Sequence, residues 1–216
     1  MTIIFDMDGV IVDSNPFHKQ AWKQFCQKYS YNLSDQEMQT KVFGRTNKEV
    51  LEYLLKEKAT EDAVETYTDE KEALYRELFA ATIQPVKGLM DFLKLLKQNR
   101  VPVAIATSAP PVNVEFTLKA TGTAEFFDTI LDCTYVTKGK PDPEIYLKTA
   151  AKMGKDPAKC IVFEDSLSGV EAALRAGMKV VGITTTHTAE ELANTHLVID
   201  SFENLTLDNL HKVLRG

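Results

Sequence analysis

Asp6 and Asp8 stand two residues apart, directly after the apolar run Ile3-Ile4-Phe5, and Gly9 follows at once. In a continuing strand, positions i and i+2 point the same way. Two carboxylates on one side of a strand end repel each other and lose hydration. A cation beside them relieves both costs, and Mg²⁺ favours oxygen ligands of this kind. By themselves these residues equally describe a strand followed by a polar turn.

Other apolar runs end in similar chemistry. Thr107 and Ser108 follow the run 101–106, and Glu164, Asp165 and Ser166 follow Ile161-Val162-Phe163. Lys140 lies further beyond Thr129-Ile130-Leu131, within Lys138-Gly139-Lys140-Pro141-Asp142-Pro143. In an open parallel sheet, ligands bind beyond the carboxyl ends of the strands. Four strand ends would then deliver acids, hydroxyls and an ammonium to one edge. Three or four acids there suit a hard divalent cation, Mg²⁺ first. A metal held by carboxylates commonly works on phosphates. One carboxylate can attack phosphorus. A second, two residues on, can protonate the leaving oxygen and then deprotonate water. A lysine and hydroxyl donors neutralise charge on the transferring group.

The elements that must position these groups are read from periodicity. Phe17, Ala21, Phe25 and Tyr29 recur at helical spacing after Pro16, with Ser14 or Asn15 as the cap. Ser34 and Glu37 have capping-box spacing, Asn47 is expected to cap a helix carrying Val50, Leu51, Leu54 and Leu55, and Thr60 the next. The acidic run 61–77 is expected to be a solvated helix face. From residue 85 onward, short apolar runs alternate with helical stretches, the pattern of parallel βαβ units. The expected fold is α/β, a Rossmann-like parallel sheet core formed by residues 1–14 and 85–216. An all-helical domain, residues 15–84, is inserted after the first strand.

Composition narrows the partners. Twenty-five basic against 31 acidic residues give a net charge of −6, a poor match for nucleic acid or an anionic membrane. Cys26, Cys133 and Cys160 form no CxxC pair and read as reduced thiols of a cytoplasmic protein. No stretch approaches the roughly 20 apolar residues of a membrane span, and no signal peptide is read at the start. The expectation is a cytoplasmic monomer acting on a small molecule.

The motifs Asp6-Met7-Asp8-Gly9-Val10 with Asp13-Ser14, Thr107-Ser108, Lys140-Pro141, and Glu164-Asp165-Ser166 with Gly169 and Gly177 closely resemble those of the haloacid dehalogenase-like superfamily. They occur in the family's order across the whole chain. The helical insert resembles the family's small helical cap, and the β-phosphoglucomutase-like phosphatases are the subgroup it resembles best. The resemblance implies Asp6 as nucleophile and Asp8 as general acid/base. It implies Ser108 or Thr107, with Lys140, at the phosphoryl group. It implies Mg²⁺ on Asp6, the Asp8 carbonyl and Asp165, with Glu164 supporting. The superfamily's dehalogenases resemble it without an acid at the position of Asp8, which argues against that activity.

The resemblance also reaches the insert. His18 and Trp22, one helical turn apart, resemble a His and a Trp near the substrate of β-phosphoglucomutases; the alternative is a partly exposed His and a core Trp. Asn113, in Ala109-Pro110-Pro111-Val112-Asn113, resembles a mutase position beside the sugar phosphate, and Ala109 is grouped with it; the alternative is a polar residue in a helix's first turn. In Gly44-Arg45-Thr46-Asn47, mutases carry an arginine three residues after the glycine for the substrate's other phosphate. Here Asn47 takes that place and Arg45 lies two residues earlier. Gly44, Arg45 and Asn47 are still expected at the substrate, but the missing anchor favours a hydrolase. The expected activity is Mg²⁺-dependent hydrolysis of a small phosphorylated metabolite, with a sugar phosphate as the leading class. A hexose-phosphate mutase and a non-catalytic phospho-ligand binder are the alternatives.

Overall fold

A computed structural model describes residues 1–43, 45–56 and 59–215. The chain divides into two compact units, Met1–Asp13 with Ile83–Gly216, and Ser14–Thr82. Strand β1 (Thr2–Phe5) opens the first unit. The second holds α1 (Asn15–Lys28), α2 (Asp35–Glu37), α3 (Asn47–Leu55) and α4 (Glu61–Phe79). The first unit then resumes with α5 (Leu89–Gln98), β2 (Val103–Ala106), α6 (Pro111–Thr121), β3 (Thr129–Leu131), α7 (Glu144–Lys152), β4 (Cys160–Glu164), α8 (Leu167–Arg175), β5 (Lys179–Ile183), β6 (Leu197–Ile199) and α9 (Leu207–Arg215).

The six strands form one sheet in the order β3-β2-β1-β4-β5-β6, with every pairing parallel. This is the α/β, Rossmann-like architecture expected from the alternating pattern. Strand β1 is central, with Phe5 beside Ile105 of β2 and Phe163 of β4. Both faces of β1 are covered, which is why its sequence is continuously apolar. On one face Phe5 stacks on Phe163 at 5.0 Å between centroids and meets Phe92, Phe127 and Phe202. On the other, Ile4, Ala104 and Val162 join Ile145, Tyr146 and Val170 in a second cluster. Full burial of each such aromatic or aliphatic side chain contributes on the order of 2 kcal/mol, so the sheet's carboxyl edge is a stiff platform.

The insertion leaves and re-enters the α/β unit at adjacent points. Val12 pairs with Pro85, and the Val86 N–H donates to the Ile11 carbonyl at 2.9 Å. The helical unit has its own core of Trp22, Phe25, Cys26, Met38, Val42, Val50, Leu51 and Leu54. Ser34 caps α2 with Glu37 in reciprocal hydrogen bonds, but α2 is a single turn and continues as a π-helical turn, Met38–Val42. Asn47 does not cap α3. Thr46 does: its backbone is extended, its hydroxyl accepts the Glu49 N–H, and its own N–H and hydroxyl donate to the Glu49 carboxylate. A β-hydroxyl one residue earlier completes the capping box and leaves Asn47 already helical. Thr60 caps α4 through the Ala63 N–H. The 61–77 stretch is not a wholly solvated face, because Lys71 and Glu72 are 2% and 4% exposed. Among the described residues, no helix is long and apolar enough to cross a membrane.

Candidate active site

Strand order reverses at β1, with β2 and β3 on one side and β4 to β6 on the other. Asp6 follows β1 directly and is buried, and its N–H donates to the Phe163 carbonyl at 3.0 Å, which locks it against β4. Glu164 ends β4 and Asp165 follows it, both buried. A tight turn places half-buried Asp8 at the same end. Its ties run from the Gly9 N–H to the Val12 carbonyl at 2.7 Å and from the Ile11 N–H to the Met7 carbonyl at 2.8 Å. Gly9 has φ +78°, and a Cβ there would overlap the Asp165 carboxylate, so both the turn and the close approach require glycine.

Lys140 comes from the connection between β3 and α7 and joins the two central strand ends. Its Nζ lies 2.6 Å from Asp6 Oδ1 and 2.5 Å from Glu164 Oε1. Glu164 accepts four more bonds. They come from the Tyr146 hydroxyl (2.6 Å), the N–H groups of Asp165 (3.0 Å) and Ser166 (3.1 Å), and the Ser166 hydroxyl (3.0 Å). A carboxylate with five donors has little capacity left for an ion. Glu164 therefore acts on the geometry by holding Lys140 in place.

Asp6, Glu164 and Asp165 each bring a carboxylate oxygen within 4.8 Å of the others. When ionised, these three carboxylates outnumber the one ammonium, and Asp8 adds further negative charge beside Asp6. The excess is felt in proton affinity. Burial pushes the Asp6 carboxyl up; Lys140 opposes this and Glu164 adds to it, leaving it at about 7. Burial also raises Asp165 well above the ordinary carboxylate range, with Glu164 and Asp6 adding to the rise. For Glu164, burial acts upward, but Lys140 and the hydrogen bonds outweigh it and bring the carboxyl down. Burial opposes the Lys140 charge, yet Asp6 and Glu164 hold its affinity well above that of an ordinary lysine. Glu164 and Lys140 are thus the settled ion pair, and Asp6 and Asp165 carry the unmet charge. A divalent cation would offset this negative charge, and an all-oxygen donor set suits a hard one. The residues fit such an ion.

Beside this cluster, at the end of β2, the Thr107 N–H donates to the Leu131 carbonyl (3.0 Å) and its hydroxyl accepts the Ala109 N–H (3.1 Å). Ser108 is exposed, Ala109 is buried, and Asn113 is buried in the first turn of α6. In the helical unit, His18 stacks on Tyr75 at 3.8 Å and its Nδ1 lies 2.8 Å from the Lys71 ammonium. Lys71 also donates to Glu72 (2.8 Å), which accepts the Asn47 side chain (2.7 Å). His18 and Asn47 are thereby linked through two buried charges. Trp22 is 3% exposed and packs on Phe25 in the helical core, and Arg45 is exposed. Gly44 lies outside the described residues.

Sequence reasoning missed five residues of these networks. Tyr146 falls on an apolar helix face and reads as core. Lys71 and Glu72 are hidden among the charges of α4. Thr185 and Thr186 lie just beyond β5, and their hydroxyls donate to the Gly9 carbonyl (2.5 Å) and to Asp165 Oδ2. The strand-end position that singles out Asp6, Thr107 and Glu164 belongs equally to these two threonines, so that signal was present in the sequence.

The comparisons agree on one family. A family model described as haloacid dehalogenase-like hydrolase matches residues 3–183. A phosphorylated carbohydrates phosphatase of Thermotoga maritima is 31% identical, covering 82% of each chain. A β-phosphoglucomutase of Bacillus subtilis is 30% identical, covering 97% of this chain and 93% of that one. A solved structure from Entamoeba histolytica, a family IA, variant 3 hydrolase of the same class, superposes with a TM-score of 0.92. It is 32% identical and covers 100% of this chain and 99% of that one.

Proposed function

Since the chain belongs to the haloacid dehalogenase-like hydrolases, we propose that it is a Mg²⁺-dependent phosphatase of a sugar phosphate, working through an aspartyl-phosphate on Asp6. The observation that carries this is the pairing of Asp6 with Lys140 beside Asp165 and Glu164, at the point where strand order reverses. An Asp6 carboxylate oxygen attacks phosphorus and the ester P–O bond breaks. The leaving oxygen takes the Asp8 proton. Asp8, now a carboxylate, removes a proton from water, whose oxygen attacks phosphorus and releases phosphate and Asp6. Lys140 holds Asp6 in line and opposes charge on the phosphoryl oxygens, and Thr107 and Ser108 are the neighbouring hydroxyl donors. Asp6, Asp165 and the Asp8 carbonyl would hold Mg²⁺, with Glu164 in support, and the ion would supply further positive charge there.

The T. maritima relative supports a carbohydrate monophosphate as substrate. The B. subtilis relative favours a second reading, a mutase. Against it stands Asn47, which bonds Glu72 where the mutase pattern asks for an arginine. The reduced thiols of Cys26, Cys133 and Cys160 fit the reducing cytoplasm. The test is a panel of phosphorylated sugars assayed with and without Mg²⁺. Release of inorganic phosphate that needs Mg²⁺ and is lost in Asp6→Asn supports the phosphatase. Isomerisation of β-glucose 1-phosphate without phosphate release would replace it with the mutase.

A further inference from the structure

We propose that Thr186 is a positioning residue for the cation site, orienting the Asp165 carboxylate through its hydroxyl. The inference rests on the Mg²⁺ site proposed above. The connection after β5 is fixed at its base by the Thr184 N–H on the Ile199 carbonyl of β6, at 3.0 Å. The next two residues reach two different strand ends. Thr185 donates to the carbonyl of Gly9, in the turn that carries Asp8, and Thr186 donates to Oδ2 of Asp165, after β4.

Those two ends touch each other. The Asp165 carboxylate packs against the Gly9 α-carbon so closely that no Cβ would fit between them. The two threonines thus tie together the turn after β1 and the acid after β4. Thr186 does more than link them. The plane of an aspartate carboxylate is set by a soft, roughly two-fold torsion. A donor on one oxygen selects one orientation and so determines where the other oxygen points. Partners of this kind, bonded to a ligand rather than to the ion, commonly change metal affinity 10–100-fold when removed. Thr186 is itself exposed, so its loss leaves no cavity in the core.

The test measures ion binding directly, with Mn²⁺ as a probe that shares the oxygen preference of Mg²⁺. Mn²⁺ is titrated into substrate-free protein and followed by electron paramagnetic resonance, for the wild type, Thr186→Val, Thr186→Ser and Asp165→Asn. Thr186→Val should weaken binding about tenfold or more, and Thr186→Ser should recover to within about threefold. Thr186→Val should stay folded, with a cooperative metal-free thermal transition whose midpoint is lowered by the loss of one hydrogen bond to a carboxylate. Binding in Thr186→Val equal to the wild type, while Asp165→Asn loses it, would overturn the role of Thr186 and leave the cation site standing. Failure of serine to rescue would also overturn it. Absence of Mn²⁺ binding in the wild type would remove the cation site and this inference together.

Discussion

Tyr146 and Asp8 carry the sharpest consequences at the residue scale. The Tyr146 hydroxyl is buried and donates to Glu164, the carboxylate that fixes Lys140. Burial pushes its phenol well above the ordinary value, and Glu164 adds to this, so it stays a donor at any physiological pH. Tyr146→Phe removes a hydrogen bond to a charged group and should cost about 1.5–3 kcal/mol in urea denaturation. Unchanged stability would mean that the bond contributes nothing to the site. Asp8→Asn removes the proposed proton donor while keeping the backbone carbonyl. It should lower turnover of an alkyl phosphate by roughly 10²–10⁴-fold and of a nitrophenyl phosphate by much less, since a good leaving group needs no proton. Equal losses on both would contradict the acid role. The gathering of Asp6, Lys140, Glu164 and Asp165 was legible because the strand ends that carry them share one edge of a parallel sheet. Tyr146 was not, because its ring packs as core and only its hydroxyl belongs to the site.

The elements divide the work between strands that hold and loops that reach. Lys140 stands in a loop, and that loop is pinned from α7. Glu144 accepts the N–H groups of Thr137 (3.0 Å) and Lys138 (2.9 Å) and the Thr137 hydroxyl (3.0 Å), and it pairs with Lys148 at 2.6 Å. The Lys148 hydrogen bond and the loop donors pull its carboxyl from 4.5 down to about 2. A folded-state value below the unfolded one stabilises the fold above the unfolded value and is lost as pH falls through the folded one. Glu144→Gln should therefore be less stable than the wild type at pH 7, and the gap should narrow as pH falls from 4.5 toward 2. A gap that stayed constant with pH would contradict the assignment. The strands themselves were legible as continuous apolar runs, and Ser34 and Thr60 as caps. The α3 cap was misplaced because Thr46 and Asn47 both suit the position, and only Glu49, three residues after Thr46, decides between them. The pairing of Lys71 with Glu72 was illegible because adjacent charges on a helix give no sign of which face is buried.

At the scale of the whole molecule, the α/β unit is interrupted in sequence but not in space, with Val12 paired to Pro85 across the insertion. Its buried excess of negative charge makes global stability depend on pH and on cations. Asp6 rises from an ordinary 3.8 to about 7, so the folded chain binds more protons than the unfolded one between those values. Stability of the metal-free protein should fall as pH rises across that window. Mg²⁺ bound at the proposed site would compete with those protons, so its stabilising effect should grow in the same direction. At about 100 times its dissociation constant, Mg²⁺ should add about 2.7 kcal/mol, or roughly 5–10 °C in the thermal midpoint, at pH above 7. The gain should be smaller at pH 5, and an equal or larger gain there would contradict the charge balance. Passage of phosphate through Asp6 is the step on which the proposed activity turns. It is tested most directly by quenching the protein in acid during turnover of a nitrophenyl phosphate with Mg²⁺, reducing it with borohydride and mapping the peptides by mass. Reduction of an acyl phosphate should be found at Asp6 alone and should be absent without Mg²⁺. Rapid turnover with Asp6 unmodified, or a phosphorylated residue elsewhere, would contradict it.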